Sequence, residues 1–141
     1  MTLSLTVYRA TPSLNEFHNL RHSNAWKYRS LRKAWLDAIG QALLEARVEY
    51  RRPLPWPRPP KERVTIAITR HAPEHNWLDP DNLTGGLKPV LDALKAHELI
   101  ANDTAKDIDL VVNQAISESN VSRWTAIRLS LDPPTLREIH A

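Results

Sequence analysis

Acidic side chains between residues 79 and 103 have a spacing that suits a metal site. Asp79 and Asp81 flank a single proline, and Asp103 follows a predicted helix that can return the chain to the same edge. Residues two apart in an extended segment point the same way, so Asp79 and Asp81 can meet one ion. Mg²⁺ is a hard cation that usually binds one or two carboxylates together with water and substrate phosphate. The spacing therefore allows a Mg²⁺ site that includes these carboxylates.

A lysine and an aspartate lie on the helix between these acidic residues. Lys88 and Asp92 are four residues apart and share one helix face. Lys88 could neutralise charge on a scissile phosphate or orient a water, and Asp92 could hold Lys88 in place or act as an outer ligand. A structural interpretation competes with this one, because Asp and Asn clusters often cap helices and such ion pairs are often solvated. Residue types alone leave both interpretations open.

Histidine pairs offer a second possible metal site. His18 and His22 are four residues apart, and so are His71 and His75. Both pairs fall in predicted loops, and zinc usually needs three or four close ligands. We therefore favour ordinary loop polarity over a zinc site for His71 and His75.

Composition limits the class of protein. The 141 residues suit one domain, no residue is cysteine, and the formal net charge is +3. The absence of cysteine excludes disulfides and thiolate zinc sites, and it fits a reducing cytoplasmic location. We find neither a secretory signal nor an apolar run of about 18 residues that would span a membrane. Basic residues concentrate in the range 21–63 and acidic ones in 74–109, as a nuclease with a phosphate-binding surface and a cation site requires.

Hydrophobic periodicity predicts an α+β domain that occupies residues 1–141. Alternating apolar residues predict four strands, at 2–8, 63–69, 108–116 and 124–131. Helical spacing predicts two main helices, at 25–50 and 87–97. Residues 70–79 are predicted to be a loop, 82–86 an irregular lead-in, 99–100 a short extended piece and 135–140 a terminal turn. The expected architecture is a mixed four-stranded sheet packed with two main helices.

The acidic segment resembles the signature of the RusA-type Holliday junction resolvases. The matching residues are Asp79-x-Asp81-Asn82-Leu83, then Lys88-x-x-x-Asp92-Ala93-Leu94, then Asn102-Asp103. Pro12-Ser13-Leu14-Asn15 is similar to the Pro-Ser-x-Asn loop of that family, and His22 to Trp26 leads into a similar basic helix. The resemblance extends over roughly residues 3–131, which is nearly the whole chain.

The resemblance implies a homodimer that cuts four-way DNA junctions by paired nicks in DNA recombination and repair. It implies Mg²⁺ or Mn²⁺ as the cofactor, with Asp79, Asp81 and Asp103 as metal ligands and Lys88 as the catalytic lysine. Asn82, Asp92 and Asn102 take supporting roles. Two features depart from the family pattern: Asn102 stands in the first place of an acidic pair, and Thr84-Gly85-Gly86 lengthens the path to Lys88.

A DNA-contacting surface is predicted from basic and aromatic residues near this segment. Exposed cations bind phosphates without reading sequence, and an exposed aromatic side chain beside the acidic site could stack on an unpaired base. The predicted contacts are Lys27, Arg29, Arg32, Lys33, Arg70, His71, His75 and Trp77. A solvated helix face and a tryptophan packed under its loop are the structural alternatives.

Two other functions remain open from the sequence. A DNA-binding protein without catalysis is the first, with Asn102 marking a decayed nuclease site. An unrelated hydrolase of nucleotides is the second. Cleavage of a labelled four-way junction with Mg²⁺, compared with EDTA, separates the first from an endonuclease, and cleavage of a dinucleotide identifies the second.

Overall fold

The computed structural model describes residues 1–16, 25–51, 53–119 and 122–131. Its main elements, in chain order, are β1 (Thr2–Val7), α1 (Ala25–Tyr50), β2 (Val64–Ala72), α2 (Pro80–Gly85), α3 (Lys88–Ala96), β3 (Ile108–Ile116) and β4 (Trp124–Ser130). A 3₁₀ turn, Glu74–Asn76, follows β2. The predicted terminal turn at 135–140 and the pair His18 and His22 lie outside the described residues. Within the described ranges, no helix has both the length and the apolar character needed to cross a membrane.

The four strands form one mixed sheet in the order β1-β4-β2-β3. β4 runs antiparallel to both β1 and β2, whereas β2 and β3 are parallel. Parallel neighbours need a long crossover, and here α2 and α3 lie in that connection. The predicted α+β class, with a mixed four-stranded sheet packed with two main helices, is confirmed.

The core lies between one face of the sheet and helices α1 and α3. Alternate strand residues are buried on that face, including Leu3, Leu5, Val7, Val64, Ile66, Ile68, Ile127 and Leu129. Trp35 and Ile39 of α1 and Val90 and Leu94 of α3 are also fully buried. Each such side chain contributes roughly 1.5–3 kcal/mol by leaving water. The core thus fixes α3 and the strand ends relative to one another.

The limits of two elements differ from the prediction near the acidic segment. β2 continues to Ala72, so Arg70 and His71 lie in a strand and not in a loop. Residues 82–85 are helical, because Asp79 caps α2 and Pro80 occupies its first turn. The cap and the proline favour a helix start enough to offset the weak helix propensity of Gly85. Residues 99–100, predicted to be extended, do not form a strand.

The proline-rich segment 53–60, which connects α1 to β2, packs against the C-terminal end of α3. Trp56 is buried, and its Nε1–H donates to the carbonyl of Leu99 at 3.0 Å. Arg58 donates two hydrogen bonds, of 3.0 and 3.2 Å, to the carbonyl of His97, which ends α3. These donors satisfy carbonyls that the end of a helix leaves open. The connector therefore stabilises the helix that carries Lys88 and Asp92.

Candidate active site

Asp79 is the N-cap of α2 and is exposed to solvent. Its Oδ1 accepts from the backbone N–H of Asn82 and its Oδ2 from the Asn82 side-chain amide, both at 2.9 Å. The backbone hydrogen bond from Asn82, followed by the side-chain bond, lowers the pKa of Asp79. Asp81 lies in the first turn of the same helix and is also exposed. The start of α2 therefore presents two carboxylates to solvent.

The segment 12–15, which we call the N-terminal loop, packs against α2. Hydrogen bonds of Asn82 link this loop to Asp79. The Oδ1 of Asn82 accepts from the backbone N–H of Asn15 at 3.2 Å. Gly86 lies so close to the carbonyl of Pro12 that a Cβ atom at this position would overlap it. Asn15 and Asn82 belong to two segments that both take part in the family resemblance, and they lie 67 positions apart in the chain. Their hydrogen bond shows that the two segments are in direct contact. The glycines that lengthen the path to Lys88 allow this close approach.

Replacing Gly86 with alanine is expected to destabilise the protein by about 1–3 kcal/mol, because the new methyl group would displace the Pro12 backbone. Urea unfolding measures this change. Thr84→Ala is the matched control, since Thr84 is exposed in the same segment and its replacement creates no overlap. Equal stability of the Gly86→Ala and Thr84→Ala variants would contradict the observed packing.

Lys88 joins two acidic residues at the start of α3. Its Nζ lies 3.0 Å from Oδ2 of Asp103 and 3.1 Å from Oδ1 of Asp92. The other oxygen of Asp92 is 3.6 Å from the guanidinium of Arg32 on α1. Four charged side chains from α1, α3 and the following loop therefore form a continuous chain of ion pairs, which we call the Lys88 cluster: Arg32, Asp92, Lys88 and Asp103.

These ion pairs favour the charged forms of their members. The hydrogen bond to Asp103, followed by that to Asp92, raises the pKa of Lys88. The hydrogen bond from Lys88 lowers the pKa of Asp103. The Oδ1 of Asn102 accepts from the Asp103 backbone N–H at 3.1 Å. Of the pair Asn102-Asp103, Asp103 therefore carries the negative charge, and the Asn102 side chain binds the main chain of Asp103.

The donor chemistry of these residues suits a divalent cation, although a three-ligand group is not assembled. Asp79 and Asp103 both have lowered pKa values and offer charged oxygen donors at neutral pH. Among the residues that the structure describes, no three His, Cys, Asp or Glu side chains are grouped closely enough to hold a metal ion. Mg²⁺ commonly needs only one or two protein carboxylates when water and substrate phosphate complete its shell. The three-carboxylate site thus remains a prediction.

Most of the predicted DNA-contacting cations are exposed on α1. Arg29, Arg32 and Lys33 line a groove between α1 and α3, and Asp92 lies on the opposite wall. Lys27 is exposed in the first turn of the same helix. The groove places positive charge directly beside the Lys88 cluster, as binding of a phosphate backbone at that cluster would require.

The predicted contacts around β2 have different surroundings. Arg70 is only 7% exposed and donates to the backbone carbonyls of Thr11 and Asn76, at 3.0 and 2.9 Å. Direct phosphate contact by Arg70 is therefore not supported, because β2 extends further than predicted and turns this side chain toward the protein. His75 and Trp77 are exposed beyond the strand, and Trp77 exposes 53% of its surface.

His71 lies on the opposite face of β2 from Arg70. Its ring stacks on that of Trp124 with centroids 3.6 Å apart and planes inclined by 3°. Partial burial lowers the pKa of His71, so its ring is uncharged at neutral pH. In the protein alone, His71 therefore adds no positive charge for phosphate binding at neutral pH.

Two residues near the site were missed in the sequence. Asn15 contacts Asn82, as described above, and Gln114 of β3 forms two hydrogen bonds with the main chain of Leu78. Asn15 had a signal, since it belongs to the Pro-Ser-x-Asn segment. Gln114 also had a signal in the sequence, because it continues the alternating pattern of Leu110 and Val112, which predicts side chains that face the core.

No protein-family model matches this chain, and no curated protein sequence matches it either. The resemblance to RusA-type resolvases therefore depends on the quoted residues alone.

Proposed function

We propose that this protein is a Mg²⁺- or Mn²⁺-dependent, structure-selective endodeoxyribonuclease that resolves four-way DNA junctions by paired nicks as a homodimer. The observation that supports this best is the Lys88 cluster. Lys88, Asp92 and Asp103 stand at positions of one sequence signature, and the Nζ of Lys88 lies 3.1 Å from Asp92 and 3.0 Å from Asp103. A basic groove beside the cluster gives a phosphate backbone a place to bind.

Each part of the site has a role in this proposal. Asp79, Asp81 and Asp103 would hold the cation, which when bound polarises the phosphate and lowers the pKa of a coordinated water. Lys88 neutralises negative charge that develops on the scissile phosphate. Asp92 restrains the Lys88 side chain, and it also connects this lysine to Arg32 in the groove.

Cleavage of a labelled four-way junction tests the proposed function. The junction and a linear duplex of the same sequence are incubated with Mg²⁺, with Mn²⁺ and with EDTA. We expect paired, symmetric nicks in the junction with either metal, little cutting of the duplex and none with EDTA. Light scattering at the same concentration should give twice the 16.1 kDa monomer mass, since paired nicks need two sites related by symmetry. Equal cutting of both DNAs would contradict junction selectivity.

Replacing Lys88 with methionine is expected to lower the cleavage rate at saturating junction at least roughly tenfold, with a smaller loss of affinity. One lysine is a minor part of a phosphate footprint, but its Nζ lies 3.0 Å from Asp103, one of the carboxylates that would hold the metal. Single-turnover cleavage and junction binding measure the two effects separately. Lys106→Met is the control, because Lys106 is exposed in the loop before β3. Weak binding with normal turnover would assign Lys88 to the binding surface.

A DNA-binding protein without catalysis is the second candidate. The observation that favours it is the lack of a three-ligand group among the described residues, together with Asn102 in the place of an acid. Binding to the junction that is unchanged by EDTA, with no cleavage in Mg²⁺ or Mn²⁺, would support this alternative.

A further inference from the structure

The loop that leads to Asp79 is held by two polar residues at the ends of parallel strands. Arg70 of β2 and Gln114 of β3 are direct partners in the strand register. Both continue the alternation of the core-facing side chains, after Ile68 in β2 and Val112 in β3. Their polar groups therefore lie side by side at the end of the core face.

These two side chains bind the main chain of alternate loop residues. Arg70 donates to the carbonyl of Asn76 at 2.9 Å. The Gln114 amide satisfies both polar groups of Leu78: its Oε1 accepts from the N–H at 3.2 Å, and its Nε2 donates to the carbonyl at 2.5 Å. Gln114 thus binds Leu78 as a neighbouring strand would.

The exposed residues of the same loop are the ones with proposed functions. Trp77 and Asp79 both have extended backbone angles, with φ of −62° and −68°. Trp77 is exposed and so is Asp79, whereas Leu78 between them is partly buried. Holding Asn76 and Leu78 by their main chains therefore leaves the Trp77 and Asp79 side chains directed to solvent.

We propose that Arg70 and Gln114 form a clamp on residues 76–78, and that Gln114 is a positioning residue for Asp79 in the candidate active site. The second part rests on the proposed nuclease function. A metal-binding carboxylate must be placed within a fraction of an ångström, since a shift of about 1 Å can lower a rate by roughly 100-fold. Gln114 supplies this restraint through the residue that immediately precedes Asp79.

Gln114 is the better of the two residues to replace. Arg70 is buried and also binds Thr11, so its loss would disturb the N-terminal loop and the core together. Gln114→Met keeps a similar length and volume but removes both hydrogen bonds. Gln114→Glu keeps the acceptor for the Leu78 N–H and loses the donor to the Leu78 carbonyl. Asn113→Ala is the matched control, because Asn113 is the exposed neighbour on the other face of β3.

Amide hydrogen exchange at Leu78, measured by NMR, tests the clamp without any assay of activity. In Gln114→Met we expect exchange at Leu78 to become about tenfold faster, as the loss of one hydrogen bond allows. Gln114→Glu should give a smaller increase, because it keeps the acceptor for the N–H but turns a carboxylate oxygen toward the Leu78 carbonyl, and Asn113→Ala should stay close to wild type. Unchanged exchange at Leu78 in Gln114→Met would overturn the clamp. A melting temperature within a few degrees of wild type shows that the variant is folded.

Cleavage kinetics on the four-way junction test the positioning role. In Gln114→Met we expect kcat to fall roughly 10- to 100-fold with KM nearly unchanged, an intermediate kcat for Gln114→Glu, and wild-type values for Asn113→Ala. Faster exchange at Leu78 with a normal kcat would overturn the positioning role and leave the clamp intact. If the wild-type protein cuts no junction, the proposed function and the positioning role both fail, and the exchange data alone still decide whether the clamp exists.

Discussion

Replacing Asp81 with asparagine is expected to abolish junction cleavage, by at least roughly 100-fold, and to leave junction binding unchanged or stronger. The carboxylate would hold the cation, and its removal also relieves repulsion from the DNA phosphates. Asp81 suits this test better than Asp79, which caps α2 and whose replacement would also alter the helix. Single-turnover cleavage at fixed Mg²⁺, with binding measured in EDTA, separates the two effects.

The control for this experiment is Glu74→Gln. Glu74 is an exposed acidic residue in the 3₁₀ turn before α2, and its replacement makes the same change of charge at a position that is not a predicted ligand. We expect near wild-type cleavage for the control. Cleavage by Asp81→Asn at the wild-type rate would show that the metal, if one is used, binds elsewhere.

Replacing Asp103 with asparagine should also remove at least roughly 100-fold of the activity, whereas Asn102→Ala should retain most of it. Asp103 carries the charge that a cation needs, and its pKa is lowered by the hydrogen bond from Lys88. The Asn102 side-chain oxygen is already used by the Asp103 backbone N–H. A Mg²⁺ titration of cleavage measures both the maximal rate and the metal requirement.

Two further variants make this titration decisive. Asp92→Asn weakens the ion pairs of Asp92 with Lys88 and with Arg32 without removing a predicted ligand, so it reports the effect of loosening these two cations. Asn102→Asp tests the other possible ligand position. A sharp gain of activity at low Mg²⁺ in Asn102→Asp, with little loss in Asp103→Asn, would move the ligand from Asp103 to residue 102.

Local patterns in the sequence were sufficient to predict most of the secondary structure. The strands at 108–116 and 124–131 and the helix at 25–50 agree with the observed elements within a residue. These segments are long and strongly periodic, because one side of each must be buried against the core. The start of α2 had an equally local signal, in the capping residue Asp79 followed by Pro80, but Gly85 and Gly86 concealed it.

The sequence predicted one ion pair of the Lys88 cluster, that between Lys88 and Asp92. The spacing of Lys88 and Asp92 on one helix face followed from helical geometry. Asp103 was predicted to return to the edge that carries Asp79 and Asp81, and that grouping stays a prediction; its carboxylate lies 3.0 Å from Lys88. Arg32 was predicted as a DNA contact, and its ion pair with Asp92 depends on how α1 packs against α3.

Tertiary structure alone decided which residues hold the loop that leads to Asp79. Arg70 and Gln114 are 44 positions apart, and they become neighbours only because β2 and β3 pair in parallel in one register. Asn15 and Asn82 meet only because the N-terminal loop packs against α2, where Gly86 leaves room for the Pro12 carbonyl. Periodicity along the chain shows which face of a strand is buried, but it carries no information on which strand lies beside it. The carboxylates proposed to bind a cation can therefore be found in the sequence, whereas the contacts that orient their segments are created by strand pairing and loop packing.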